Sequence, residues 1–185
     1  LELLKEPEIR TRDRVKLELS TRPTKEVMAA VEKWIVKAKA SYPGALQRKL
    51  SRKELDTIGN TPIESLMSDC SKVEHQLLEA LWVCQWHNVV NHDLLNFLLN
   101  VRPRVVDGGS VHVQIPDEPR VRAAAVRVLC YQRDRIPDAL DLLMKAANDD
   151  SPLVRLEAVR AASFFGSSMG FQPVQAGIKR APQDN

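Results

Sequence analysis

Aromatic residues are scarce in this chain, at 5% of the total, while Leu, Val and Ala dominate its apolar content. That balance disfavours an aromatic-rich β-sandwich and favours helical packing. Cysteine is also rare. Cys70, Cys84 and Cys130 are odd in number and widely spaced, so they read as small buried hydrophobes and not as a disulfide framework. No apolar run approaches the roughly eighteen residues of a membrane span. Leu1 to Arg14 alternates its charges without an apolar stretch after them, which is unlike a signal peptide. The net charge of +3 is too small to argue for nucleic acid by itself. What basic excess there is lies in residues 1–56.

What remains is the composition of a folded protein, 44% hydrophobic and 28% charged, in 185 residues that suffice for a substantial core. Its clearest organising feature is an internal repeat. "DEPRVRAAAVRVL" from 117 and "DDSPLVRLEAVRAA" from 149 align at an offset of 33, so that Pro119, Val121, Arg122, Ala125, Val126 and Arg127 recur as Pro152, Val154, Arg155, Ala158, Val159 and Arg160. A period of this size signals stacked helical hairpins. Proline begins each copy, where its missing N–H costs nothing at the first helical position. Between the copies, Pro137 opens a second helix with Ala139, Leu140, Leu143 and Met144 as its expected apolar face.

The same grammar extends upstream. Ser71 with Glu74 has capping-box spacing and predicts a helix from about Lys72 to His87, turning Leu77, Leu78, Leu81, Trp82 and Cys84 to the core. Asn91 then caps "HDLLNFLLNV". Pro23 and Thr24 open a helix whose Val27, Ala30, Val31, Trp34, Ile35 and Ala38 form an apolar stripe, and an earlier helix spans Glu8 to Leu19. Two segments interrupt the pattern. Residues 41–70 are polar, with short helices expected at Ser51/Glu54 and Thr61/Glu64. Residues 103–116 alternate around Asp107-Gly108-Gly109, which predicts a small β-hairpin or loop near 104–115. Beyond Phe165 no usable period remains, so residues 166–185 are expected to be a disordered tail. The hairpin begun at Ser151 therefore lacks a second helix, leaving a face near Phe164 and Phe165 open. This implies a truncated fragment or an end that docks onto another domain.

The segments "EALWVCQWHNVVNHDLL", "VRAAAVRVLCYQRDRIPDALDLL" and "SPLVRLEAVRAASFF" resemble the HEAT-like repeat region of large bacterial redox proteins. Those proteins join a sugar-dehydrogenase-like β-propeller, helical repeats and a c-type cytochrome. The N-terminal "RDRVKLELSTRPTKEVMAAVEKW" is similar to the stretch leading into such repeats. The resemblance covers about two thirds of the chain. It implies an extracytoplasmic parent, periplasmic or beyond, that handles electrons from a small organic substrate, with haem c elsewhere in that parent.

Cys84 and His87, three apart between two tryptophans, raise the question of a metal or haem. A c-type haem needs C-x-x-C-H, and the sequence has Val83 and Trp86 where cysteines would stand. Zinc needs two further ligands, and Cys70, His75, His92 and Cys130 are not spaced as a second pair. No cofactor or metal is expected in this chain. Cys84 reads as core and His87 as a hydrogen-bonding helix end. Cys130 falls on the apolar side of a repeat helix, where burial raises a thiol pKa. Trp34, Trp82 and Trp86 read as packing residues.

The repeated arginines are the candidate interaction surface: Arg120, Arg122, Arg127, Arg155 and Arg160. A ladder of guanidinium groups could hold a nucleic-acid backbone, but Glu118, Asp134, Asp138 and Asp150 nearly neutralise the region. The expectation is an all-α fold, a right-handed α-solenoid of HEAT-like or armadillo-like hairpins. It comprises an N-terminal helical pair (1–40), a polar insertion (41–70), repeats over 71–165 and the tail. The function expected is a non-catalytic scaffold for other protein domains or subunits, with nucleic-acid binding as the second reading.

Overall fold

The computed structural model describes residues 1–41, 63–101, 104–107, 112–115 and 118–166. A short 3-10 turn, Glu2–Lys5, precedes α1 (Ile9–Ser20) and α2 (Thr24–Ser41). Then come α3 (Ile63–Trp86) and α4 (His92–Leu99), strands β1 (Arg104–Asp107) and β2 (His112–Ile115), and α5 (Pro119–Gln132), α6 (Ala139–Ala147) and α7 (Pro152–Gly166). A single 3-10 turn, Arg133–Arg135, bends the chain between α5 and α6.

The order is that of stacked hairpins, a long helix followed by a short one. α3 with α4 forms one hairpin and α5 with α6 the next, and α7 opens a third. α5 packs against α3, α4 and α7, while α7 also covers α6. A continuous core results, running from Leu4 and the α2 stripe through Leu77, Leu81, Leu94, Leu95 and Leu98 to Val126, Leu129, Leu143, Val154 and Ala158. Each large aliphatic side chain so buried contributes on the order of 1.5–3 kcal/mol, which is what holds short helices such as α4 in place.

Local signals account for most boundaries. Asn91 Oδ1 accepts the Leu94 N–H at 2.9 Å, so α4 starts where the sequence places its cap. Pro119 stands at the start of α5, and the Glu118 side chain accepts the Arg120 N–H at 3.3 Å. In α2, Val27, Val31, Trp34, Ile35 and Ala38 are buried as expected, but Ala30 faces solvent.

Two expectations are corrected. The helix predicted to begin near Lys72 begins at Ile63, and Ser71 lies exposed in its middle. No proline or glycine interrupts residues 63–86, so continuing the helix saves the unsatisfied groups of a second start, and the Ser71/Glu74 spacing has no end to cap. The apolar face of α6 is also rotated. Ala139, Leu142, Leu143 and Ala146 are buried, whereas Leu140 and Met144 are 40% and 52% exposed. Either set satisfies a 3.6-residue period. The docking of α7 selects the former.

The strands pair antiparallel in register, Arg104 with Ile115 through Asp107 with His112, at the place where alternation predicts a hairpin. The helix expected at Ser51/Glu54 falls outside the described residues, as does the expected tail beyond Gly166, whereas the short helix expected at Thr61/Glu64 is part of α3, which runs on from Ile63 without a break.

Candidate functional site

The cysteine–histidine segment proves to be a helix stop. Asn88 has φ 57°, the left-handed conformation that asparagine tolerates better than most residues. Its N–H bonds to the Gln85 carbonyl at 2.9 Å, and the Val89 N–H bonds to the Cys84 carbonyl at 2.9 Å. These two bonds are the Schellman pattern, which satisfies carbonyls a helix end leaves open. Cys84 is buried, and burial pushes its thiol up to about 11. His87 turns away to α2, with Nδ1 3.2 Å from Thr24 Oγ1. Gln132 Nε2 and Arg135 Nη1 donate to the Val89 and Asn88 carbonyls at 3.1 and 2.7 Å, clamping the turn from the α5–α6 elbow. Burial likewise raises the Cys130 thiol. Trp86 is 53% exposed, so the packing role expected of it is corrected: one turn beyond Trp82, it borders an open cleft and not the core.

The repeat arginines occupy unlike environments. Arg122 is 2% exposed, and its Nε and Nη2 donate to Asp149 Oδ2 and Oδ1 at 3.0 and 2.9 Å while Nη1 donates to the Val101 carbonyl at 3.0 Å. Arg127 forks onto Glu157 at 2.9 and 2.6 Å, and Arg160 Nη1 donates to the same carboxylate at 3.1 Å. The hydrogen bond from Arg127 is the main reason the Glu157 carboxyl titrates below the ordinary range. Arg155 Nη1 donates to the carbonyls of Asp149 and Asp150 at 2.7 and 2.9 Å. Arg120 projects into solvent, 3.9 Å from Glu118. The expected surface is therefore corrected at Arg122, which burial withdraws into the joint between α5 and α7. Arg120, Arg127, Arg155 and Arg160 stay on the outside.

A second charged joint was not anticipated from the sequence. Glu79, fully buried on α3, accepts from Arg12 Nε at 2.8 Å through Oε1. Lys16 Nζ faces Oε2 at 3.2 Å without hydrogen-bond alignment and lies 4.9 Å from the centre of the Trp82 ring. His75 stands 3.4 Å from Oε1, and burial lowers its pKa against the opposing pull of Glu79. A shallow cleft between α1 and α3 opens here, bordered by Ile9, Trp82 and Trp86. Its signal in the sequence was a glutamate inside the apolar run Leu77-Leu78-Glu79-Ala80-Leu81. His92 Nε2 and Asp138 Oδ1, 2.8 Å apart, tie α4 to the start of α6.

Among the described residues, no group of three or more His, Cys, Asp or Glu could hold a metal ion, and no helix is long and apolar enough to cross a membrane. The charged side chains Glu79, Arg122, Glu157 and Asp138 join helices. This defines an all-α helical-repeat scaffold whose hairpins are fastened by buried charge pairs and an aliphatic core. Residues 114–184 match the family model of HEAT repeats, a span that includes α5, α6 and α7. Comparison with curated proteins and with solved structures finds no match in either.

Proposed function

We propose that the chain is an interaction module that holds protein partners on the outer surface of its stacked hairpins. The observation that carries this reading is the distribution of large exposed apolar side chains on the last helices. Leu140 and Met144 on α6 are joined by Leu153, Leu156, Val159 and Phe164 on α7 at 37–66% exposure. Scattered single residues of this kind are ordinary on a surface, but a series along consecutive helices marks a contact area. A scaffold of this type works by geometry: its core fixes the shape of a broad face, and contacts spread over several repeats.

The resemblance to multidomain redox proteins supports a finer proposal, that the partners are domains of an extracytoplasmic dehydrogenase or cytochrome assembly. Nucleic-acid binding is not carried forward, because Arg122 is buried while Arg127 and Arg160 converge on Glu157. The test is photo-crosslinking from Val36, Tyr131, Met144 and Val159, each exposed and each on a different helix. Crosslinks to one partner from two or more neighbouring helices support the reading. Turnover of small substrates by the chain without any crosslinked partner contradicts it.

A further inference from the structure

We infer that the ridge formed by Arg127 and Tyr131 of α5 with Arg160 and Phe164 of α7 binds an extended, carboxylate-bearing segment of a partner protein. This rests on the interaction reading above and names the face and the chemistry of the partner. The offset of 33 maps Arg127 onto Arg160 and Tyr131 onto Phe164, so each long helix carries an arginine and, one turn later, an aromatic ring. The two pairs lie on one side of the stack. Arg127 and Arg160 both donate to Glu157, and Cys130 Sγ approaches the Ala161 carbonyl at 4.0 Å, which sets the ring-bearing turns of the two helices beside each other.

Helix stacking does not cover this ridge. α7 is the helix that the next repeat lays on α5, and with it in place the Arg127 side chain is still 59% exposed and Tyr131 74%. Arg160 and Phe164 are comparably open, at 64% and 56%. A further hairpin stacked on α7 in the same manner would leave them open too, so these positions are outward whatever follows in the stack. A lone exposed ring is ordinary on a surface, but the same ring beside the same guanidinium on consecutive helices marks a contact area.

The charge selects the occupant. Each guanidinium carries five N–H donors, of which Arg127 spends two and Arg160 one on the Glu157 carboxylate. Two cations against one anion leave a surplus of one positive charge and donors that face solvent, the complement of a further carboxylate. A phosphodiester backbone needs an uncompensated row of cations, and Glu157 interrupts this one. The spacing selects the conformation. Packed helices lie about 8–10 Å apart, and a polyproline II strand repeats every three residues, or about 9 Å. A segment crossing α5 and α7 in that form sets apolar side chains on Tyr131 and Phe164 and turns an adjacent edge, bearing carboxylates, to the arginines one helical turn away.

The probe is a fluorescein-labelled synthetic peptide of four Leu-Pro-Asp repeats, titrated with the full chain by fluorescence anisotropy, with a Leu-Pro-Asn peptide as its neutral counterpart. Saturable binding of the acidic peptide is expected, about tenfold tighter than that of the neutral one and weakened by added salt. Tyr131→Ala and Phe164→Ala should each weaken it about tenfold. Arg160→Gln should narrow the gap between the two peptides, a readout that a merely structural change would not move. Val36→Ala on α2, an equally exposed apolar site, should leave binding unchanged, and circular dichroism checks that each variant is folded. Absence of saturable binding, equal affinity for the two peptides, or a loss with Val36→Ala matching that of Phe164→Ala overturns the inference. Self-association of the full chain abolished by Phe164→Ala overturns it in favour of a second copy. A uridine oligonucleotide that displaces the peptide at lower concentration than the unlabelled peptide does overturns it in favour of single-stranded nucleic acid. Failure here with crosslinks retained from Val36 or Met144 leaves the scaffold reading standing, because those residues lie off the ridge.

Discussion

Arg122 and Asp149 meet through two parallel hydrogen bonds of 3.0 and 2.9 Å, both side chains buried between consecutive hairpins. Asp149 Oδ1 also accepts the Ser151 N–H at 2.9 Å, so one carboxylate fastens α5 and shapes the turn into α7. Removing one partner strands the other charge away from water. Asp149→Ala should therefore cost about 3–5 kcal/mol, whereas Arg122→Met combined with Asp149→Leu should recover most of that loss. Urea unfolding of the single and paired variants at neutral pH measures the difference. A small loss in the single variant would show that the pair is not desolvated.

Asn88 holds the stop of α3 at φ 57°. Asn88→Gly should change stability little, while Asn88→Val should lose about 1–2 kcal/mol from steric crowding in the left-handed region. Thermal unfolding of the two variants distinguishes a conformational requirement from a side-chain one.

Acid should loosen the joint between α5 and α7. The Glu157 carboxyl, held down first by its hydrogen bond from Arg127, binds its proton more weakly in the folded state than in the unfolded chain, where 4.5 is the ordinary value. Its stabilising contribution is present above that value and is lost as pH falls through the lower folded one. Glu157→Gln should lower stability at pH 7 and flatten the decline below pH 4.5. The same decline in both proteins would place the acid sensitivity elsewhere.

His75 acts in a different window. Burial lowers its pKa from the ordinary 6.5, so the unfolded chain takes up the proton first as pH falls below that value. Stability should drop between pH 6.5 and the lower folded value and then level off with respect to this group. His75→Gln should remove that part of the slope, as read from Tm at pH 7.5 and 5.5.

Much of the repeat was legible because proline, the Arg–x–x–Ala–Val spacing and the 33-residue offset are local features that survive packing. Asn91, Pro119 and Pro152 stand where the sequence places helix starts. The face of α6 was not legible, since Leu140 and Met144 are as apolar as Leu142 and Ala146 and only the arrival of α7 chooses between them. Ser71 misled because a capping pattern says where a helix could begin and not whether one is already under way. Glu79 escaped because its partners, Arg12 and Lys16, lie far away in sequence and approach it only when α1 packs on α3. Arg122 and Arg155 look interchangeable in the sequence, and their difference is a matter of which one has a neighbour beyond it.

That difference gives the stack a direction. At the joint between α5 and α7, α5 contributes the guanidinium, Arg122, and the turn before α7 the carboxylate, Asp149, so the two surfaces that meet there carry opposite charge and cannot exchange roles. A joint of that kind is heterologous: the surface α5 presents differs from the one α7 brings to it, unlike the self-complementary patch of a twofold contact.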